Sequence, residues 1–389
     1  MIWIISILSL IAVWLDRTAY RRIYRHKRGA KMLLAAALTD NLLPLIILAV
    51  TFVLPDNPPY IAKISAWIMW FYMATVPTRA VYLAFRIWSR RRLWHIVGGI
   101  AATTMLFTLV YGTAVTRTDY RVEQATLQCD DLPEAFDGYT VALISDLHVG
   151  SMLSPQRECR RIVDIIDSFD ADLVVFCGDL INIRIEELTP EIMDILGSIR
   201  SRDGVMSVIG NHDTGAYIED ERRTPEAEIE RLRTAQHDMG WRLLDNESIW
   251  IRRGGDSISV SGISFMPEWH DRRHAGKMFD PDLSPVYTGI DASEFNITLS
   301  HIPQLWDNIA AEGKADLTLS GHIHSMQFKV PAGRRGISPA KILYGRWSGL
   351  YRERNAYLYI NDGIGCVGIP ARIGACPEIT FLELECDRK

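Results

Sequence analysis

Tyr139-Thr140-Val141-Ala142-Leu143-Ile144-Ser145-Asp146-Leu147-His148 decides how this chain is read. An apolar run of strand length ends on two side chains able to hold a cation. Asp146 and His148 are one residue apart at a strand end, so both can project to the same side. The pattern then recurs. Asp172–Cys177 is a second apolar run, followed by Gly178-Asp179. Val205–Ile209 is a third, followed by Gly210-Asn211-His212-Asp213. Asp179 lies 33 residues after Asp146, and Asn211 lies 32 after Asp179. That spacing is one strand–helix–strand unit. Three consecutive parallel strands would bring Asp146, Asp179 and Asn211 to a common edge, where α/β sheets place their sites.

Two further blocks follow apolar runs in the second half. Phe295–Leu299 leads to Ser300-His301-Ile302-Pro303, and Asp316–Leu319 leads to Gly321-His322-Ile323-His324. Carboxylate, amide and imidazole together suit borderline transition metals such as Mn, Fe or Zn. Two such ions about 3.5–4 Å apart can clamp a phosphoryl group and activate a water. A lone His is most often structural, and a lone Asp before a turn is most often a cap. Five ordered blocks, each just after an apolar strand, favour a shared site over five coincidences. Gly178, Gly210 and Gly321 are read as letting the backbone turn tightly beside the ligands.

Between the blocks, Gln156–Phe169, Pro190–Ile199, Glu226–Met239 and Trp306–Ala311 have helical periodicity. Val122–Leu127 is a candidate first strand. Ser257–Gly262, Lys341–Tyr344, Ala356–Tyr359 and Ile379–Leu384 are candidate later ones, and the Gly254-Gly255 pair before Asp256 marks a hairpin turn. Strands alternating with helices give an α/β layered fold, and the strand-rich second half suits two sheets packed face to face with helices outside. The domains are expected at 1–116 for a membrane region, 117–137 for a linker with the first strand, and 138–389 for the metal-binding domain.

The membrane expectation rests on residues 1–118, which carry 14 Lys+Arg against 3 Asp+Glu, while the remainder carries 28 against 44. An acidic remainder excludes a nucleic-acid partner, which would need a basic stripe. Four apolar stretches, Met1–Leu15, Met32–Leu54, Ile64–Phe85 and Leu93–Val115, approach or reach the ~20 residues a spanning helix needs. The first is short, but no charge precedes it and no small-residue cleavage site follows it, against a signal peptide. The first connection has seven Lys+Arg, the second (Pro55–Tyr60) none, and the third contains Arg86, Arg90, Arg91 and Arg92. Positive loops stay in the cytoplasm. A multi-pass protein of the cytoplasmic (inner) membrane is expected, with everything after Val115 on the extracytoplasmic side. Trp67, Trp70, Trp88 and Trp94 sit near span ends as interfacial anchors. Asp40, Asn41 and Arg79 fall in or beside spans, where interhelical packing competes with a functional role. An extracytoplasmic location permits disulfides, with Cys366–Cys376 or Cys129–Cys386 as conceivable pairs.

D-x-H, G-D, G-N-H-D, S-H-x-P and G-H-x-H, in this order, resemble the calcineurin-like metallophosphoesterase superfamily over roughly residues 138–386. The resemblance implies an α/β, four-layer αββα sandwich with two divalent metal ions (Mn, Fe or Zn), here preceded by a helical transmembrane region. By matched position, Asp146, His148, Asp179 and His324 would hold one ion. Asp179, Asn211, His301 and His322 would hold the other, with Asp179 bridging. His212 matches the family's non-ligand histidine, which contacts phosphate and protonates the leaving oxygen, and Asp213 would orient it. The implied reaction is phosphoester hydrolysis by a water activated between the cations.

Trp347-Ser348-Gly349-Leu350-Tyr351, Gly363-Ile364-Gly365, Pro370-Ala371-Arg372 and Pro377-Glu378-Ile379 are similar to the tail of the bacterial subfamily with N-terminal membrane segments. That group includes phosphodiesterases and hydrolases of UDP-diacylglucosamine. Asn361-Asp362-Gly363 departs from relatives that more often carry Arg before the Gly. The expected substrate is a phosphoester, a diester or a lipid-linked phosphate of the envelope. The alternatives are a UDP-diacylglucosamine-type pyrophosphatase and a catalytically silent membrane sensor or scaffold. Trp269-His270-Asp271-Arg272-Arg273-His274, Arg334, Arg335 and Arg346 are candidates for the pocket mouth, with a solvated surface as the competing reading. Met266, Trp269, Met278 and Phe279 are candidates for lipid contact, with a core role competing.

Overall fold

A computed structural model describes residues 2–47, 59–89, 91–218, 223–269, 281–332 and 336–387. The chain divides into two compact units. One comprises Met1–Val115 with Gly368–Ala371, and the other comprises Thr116–Val367 with Arg372–Lys389.

The larger unit contains twelve strands among the described residues: β1 Arg121–Cys129, β2 Tyr139–Ile144, β3 Leu173–Phe176, β4 Val205–Ser207, β5 Arg242–Leu243, β6 Glu247–Arg253, β7 Asp256–Ile263, β8 Asn296–Ser300, β9 Leu317–Ser320, β10 Gly349–Glu353, β11 Ala356–Ile360 and β12 Glu378–Cys386. They form two six-stranded sheets, ordered β1-β12-β2-β3-β4-β5 and β10-β11-β9-β8-β7-β6. Both are mixed. β2, β3, β4 and β5 run parallel, as do β7, β8, β9 and β11, while β12 against β2, β6 against β7 and β10 against β11 are antiparallel.

Period-two alternation builds the layers. In β2, Ala142 and Ile144 join a core with Ile162, Val163 and Ile166 of the helix Pro155–Asp167 and with Ile192 and Leu196 of the helix Pro190–Gly197. Their neighbours Val141 and Leu143 face the other way, into a core shared with Val260, Ile297, Leu299 and Leu319 of the second sheet. On that sheet's outer face, Trp306 packs on Leu358 and Ile360. Both sheets are therefore covered by helices outside and by each other inside, as parallel strands require. The register Ile144↔Phe176↔Ser207 aligns the C-terminal ends of β2, β3 and β4, and Leu299↔Leu319 aligns those of β8 and β9. Each of the five metal-ligand motifs begins at or just beyond one of these ends.

Two expectations fail locally. Lys341–Tyr344 is not a strand: Ala340–Leu343 is a short helix, started by Pro339 and by Ser338 Oγ, which accepts the Ala340 N–H at 3.0 Å. The six cysteines are free thiols. Cys129 and Cys386 are register partners across β1 and β12, but Cys386 Sγ turns to the Leu132 carbonyl at 3.2 Å.

In the smaller unit, helices span Ile2–Ala19, Ala30–Asp40, Pro59–Trp88 and Arg92–Ala114. Of the described residues, one helical segment, Arg92–Thr118, is long and apolar enough to cross a membrane. Of the expected second connection, Pro55–Tyr60, residues 55–58 lie outside the described residues, and Pro59 and Tyr60 begin a helix. Asp40, Asn41 and Arg79 form one network with Asp16. Arg79 Nε meets Asp16 Oδ1 at 3.0 Å, Arg79 Nη1 meets Asp40 Oδ2 at 2.7 Å, and Asn41 Nδ2 donates to Asp16 Oδ2 at 3.3 Å. These contacts tie three helices together, which favours the packing role.

Candidate metal centre

The loops after β2 and β3 stay paired beyond the strands: the Asp146 N–H donates to the Gly178 carbonyl and the His148 N–H to the Asp179 carbonyl, at 2.9 and 3.1 Å. Asp146 and Asp179 are thereby held side by side. Asp146, His148, Asp179, His322 and His324 all adopt positive φ, between 43° and 74°. Such backbone costs on the order of 1–3 kcal/mol per residue and persists only where surrounding contacts enforce it.

Two of the motif glycines serve close approach rather than turning. A Cβ on Gly210 would lie 2.2 Å from Asp179 Oδ1, and one on Gly321 would lie 2.3 Å from Asp146 Oδ2. Gly178, at φ 83°, is the one whose left-handed backbone favours glycine.

The side chains converge on two overlapping nests. In the first, His324 Nε2 lies 3.0 Å from Asp146 Oδ1 and 3.2 Å from His148 Nε2. In the second, His301 Nε2 lies 3.1 Å from Asn211 Oδ1 and 3.2 Å from both Asp179 Oδ2 and His322 Nδ1. Asp179 Oδ2 is also 3.5 Å from His148 Nε2, so one oxygen stands between the nests. Asp146, His148, Asp179, Asn211, His301 and His324 are buried, and His322 is half-buried.

Hydrogen bonds around the nests fix which atoms face inward. His301 Nδ1 donates to the Cys177 carbonyl at 2.7 Å, leaving the Nε2 lone pair directed at three acceptors. Asn211 Nδ2 donates to the Tyr217 hydroxyl at 3.1 Å, which turns Oδ1 toward His301. Ser145 Oγ donates to Asp146 Oδ2 at 2.6 Å and the His322 N–H to the same oxygen at 3.0 Å. Lone pairs facing lone pairs beside two buried carboxylates repel unless a cation or proton lies between them. The donor set therefore fits divalent metal ions. Burial works against the His301 charge, but the Asp179 carboxylate outweighs it and pushes the imidazole up to about 9, toward the proton that can stand in for a cation. Burial works against the Asp179 charge, but His301, His212 and His148 outweigh it and hold the carboxyl far below the usual range. Burial pushes the His148 imidazole down, toward the neutral form a metal ligand needs.

The structure brings together all seven metal candidates and sets His212 beside them, its ring 4.7 Å from that of His148 and edge-on. Asp213 has a different task from the expected one. Its Oδ2 accepts the N–H groups of Asp179 and Gly210, at 2.7 and 2.9 Å, and its Oδ1 those of Leu180 and Ile181, at 2.8 and 3.2 Å. It staples the Gly178-Asp179 and Gly210-Asn211 loops. His212 is oriented instead by the Asn182 carbonyl, which accepts from Nδ1 at 2.5 Å.

Sequence reasoning missed Asn182, Tyr217 and Glu187. Tyr217 stacks on His212 with ring centroids 4.4 Å apart. The Glu187 carboxylate accepts the N–H groups of Asn182, Ile183, Arg184 and Gly150. Of the pocket-mouth candidates, Trp269 is buried among Ile263, Phe265 and Tyr287, which also removes it from lipid contact. Arg346 is spent on Asp307 and Glu353 and lies over Trp306. Residues 270–274, Met278, Phe279, Arg334 and Arg335 lie outside the described residues.

An α/β fold of two mixed sheets with paired Asp/His nests at the strand ends defines a two-metal hydrolase of phosphoric esters. Residues 139–326 match the family described as calcineurin-like phosphoesterase, whose members use a dinuclear divalent metal centre. Among similar proteins is the uncharacterized metallophosphoesterase YkuE of Bacillus subtilis, 25% identical over 76% of this chain and 98% of its own length. Another is a transmembrane protein with metallophosphoesterase domain from Danio rerio, 28% identical over 71% of this chain, which covers 60% of that relative. Among solved structures, the phosphopantetheinyl hydrolase of Mycobacterium tuberculosis aligns at 14% identity over 57% of this chain and 88% of its own, with a TM-score of 0.37. That last likeness is too distant to carry an argument.

Proposed function

We propose that this chain is a membrane-anchored phosphodiesterase of the cell envelope acting on a lipid-linked phosphate, with Asp146, His148, Asp179 and His324 holding one ion and Asp179, Asn211, His301 and His322 the other. The carrying observation is the position of Asp179 Oδ2, within 3.5 Å of His148 Nε2 and 3.2 Å of His301 Nε2. A single carboxylate oxygen between two imidazole nests is what a bridging ligand requires. When bound, the two cations supply a water of lowered pKa and neutralise charge on the phosphoryl oxygens.

The protein's own groups do the rest. His212, with Nδ1 committed to the Asn182 carbonyl, presents Nε2 to hold a proton and release it to the leaving-group oxygen. Tyr217 limits rotation of His212 by stacking and of Asn211 by hydrogen bonding. Asp213 keeps the two ligand loops in register through its four backbone contacts. Anchoring is supported by the apolar helical segment Arg92–Thr118 and by the uneven charge of the two halves. The asymmetry of the basic loops supports a multi-pass N-terminal region, 1–116, with a linker at 117–137 and the catalytic domain 138–389 outside the cytoplasm.

The test uses full-length protein in detergent with Mn or Zn and bis-p-nitrophenyl phosphate. Wild type should hydrolyse it with two ions bound, and Asp179→Ala should lose ions and turnover together. An Asp179→Ala protein that keeps both ions and its rate contradicts the bridging assignment. A reporter fused after Lys389 reads the side of the membrane, and an active cytoplasmic reporter overturns the proposed orientation.

A further inference from the structure

The segment after His324 has a composition and a surface that the metal centre does not use. From Ser325 to Arg346 the chain carries five Lys or Arg and no Asp or Glu. This lies within a region, 119–389, where acidic residues outnumber basic ones by 44 to 28. The segment is also apolar where water should be. Val330 and Ile337 exchange both backbone hydrogen bonds, at 2.9 Å each, so their side chains stand side by side on one face of a hairpin. Phe328, two residues before Val330, shares that face. The short helix Ala340–Leu343 follows at once. Exposure is 39% for Phe328, 48% for Val330, 60% for Ile337, 86% for Ile342 and 66% for Leu343. Successive aliphatic side chains this open are rare on a water-facing surface unless something covers them.

We propose that this hairpin and short helix form a docking surface for an anionic phospholipid bilayer, beside the metal centre. The inference rests on the membrane-anchored reading above. Three observations select a bilayer as the occupant. First, the helical segment able to cross a membrane, Arg92–Thr118, runs directly into β1 at Arg121, so a bilayer is covalently close to this unit. Second, Lys341 is exposed beside Ile342 and Leu343 and enters no salt bridge among the described residues, so its cation is open to anionic headgroups. Together these orient the unit with Ile342 and Leu343 toward the surface. Third, aliphatic side chains flanked by Lys make the amphipathic pattern of interfacial insertion, with Lys341 beside Ile342 and Leu343. His324 to Gln327 hold four consecutive residues at positive φ, between 49° and 56°. The same left-handed turn that presents His324 thus begins the docking segment, which places a bilayer-embedded phosphoester near the ligands.

The experiment uses full-length chain in nanodiscs of phosphatidylglycerol or phosphatidylcholine, with p-benzoylphenylalanine placed at Ile342 or, as a control, at Trp250 on β6. Irradiation should give a phospholipid adduct at 342, stronger with phosphatidylglycerol, and none at 250. An adduct to a second chain, equal lipid adducts at both positions, or no lipid adduct at 342 overturns the docking surface. A second measurement avoids dependence on the probe. I342E/L343E should lose roughly tenfold or more in efficiency on a vesicle-embedded phosphodiester, as withdrawing two aliphatic side chains from an apolar phase implies. Its hydrolysis of soluble bis-p-nitrophenyl phosphate should be unchanged, and equal losses on both substrates count against docking. Carbonate extraction separates the two readings. A chain released by carbonate overturns the anchor, whereas a retained chain without lipid adducts at 342 overturns only the docking surface.

Discussion

The Asn182 carbonyl oxygen lies 2.5 Å from His212 Nδ1 and fixes the imidazole without any carboxylate partner. The loop carrying that carbonyl is gathered by Glu187, whose two oxygens take four backbone N–H groups, one of them from Gly150 in the loop that carries His148. A Cβ on Gly150 would lie 2.2 Å from Glu187 Cδ, so glycine there admits the carboxylate. Glu187 is therefore a positioning residue for His212. Proton delivery matters most when the leaving group is poor. E187Q should lose about 10- to 100-fold in kcat on alkyl phosphodiesters, a fraction of what a general acid contributes. Aryl esters and metal content should hardly change. H212A should show the same leaving-group dependence more strongly. Equal losses on both substrate types in E187Q would assign Glu187 a general structural role.

Gly210 and Gly321 leave room for ligand carboxylates. In G210A the added methyl meets Asp179 Oδ1 and the Asp179 N–H, both within 2.3 Å, and backbone cannot move aside cheaply. Metal affinity should fall at least 10- to 100-fold, the range seen when groups supporting a ligand are disturbed. Titration of the metal-free protein with Zn, read by activity and bound metal, checks this.

Asp213 is a staple, so its loss should register in stability more than in leaving-group dependence. D213A strands four N–H groups in a fully buried site. Each unsatisfied buried donor costs about 1–3 kcal/mol, and local relaxation recovers part of it, giving roughly 3–5 kcal/mol. D213N keeps one acceptor oxygen and should fall between. Thermal unfolding in detergent measures both.

Asp316 gives a pH signature away from the metals. Burial pushes its carboxyl up to about 7; the Asn296 N–H opposes this and the Asp131 charge adds to it. An acid whose folded pKa is raised contributes its stability below its unfolded pKa, near 4, and loses it as pH rises through about 7. D316N keeps a carbonyl oxygen for the Asn296 N–H, which now meets Oδ2 at 2.8 Å. Its Tm should exceed that of wild type at pH 8, and the difference should vanish toward pH 4. A constant difference across that range would assign the effect to packing.

Much of the site was legible because its ligands follow apolar runs with period-two patterning. Ile144, Phe176 and Ser320 each end a strand a few residues before Asp146, Asp179 and His322. What could not be read has a physical reason. The Asn182 group that orients His212 is a backbone carbonyl, which every residue carries, so no side-chain identity marks it. Asp213 took its expected role from its match to the family pattern, but its oxygens serve amides folded around it from two loops. β5, β6 and β10 were missed because they are short or polar edge strands whose pairing is decided by tertiary contacts. Lys341–Tyr344 was misread because its apolar residues face outward, so an exposed apolar run resembles a buried strand in sequence alone.

The central claim is that two cations sit in the paired nests and share Asp179. Anomalous diffraction from crystals of the full-length protein grown with Mn tests it most directly. Two peaks about 3.5–4 Å apart are expected, one beside Asp146, His148 and His324, the other beside Asn211, His301 and His322, with Asp179 between them. A single peak, or none within reach of Asp179, would contradict the account.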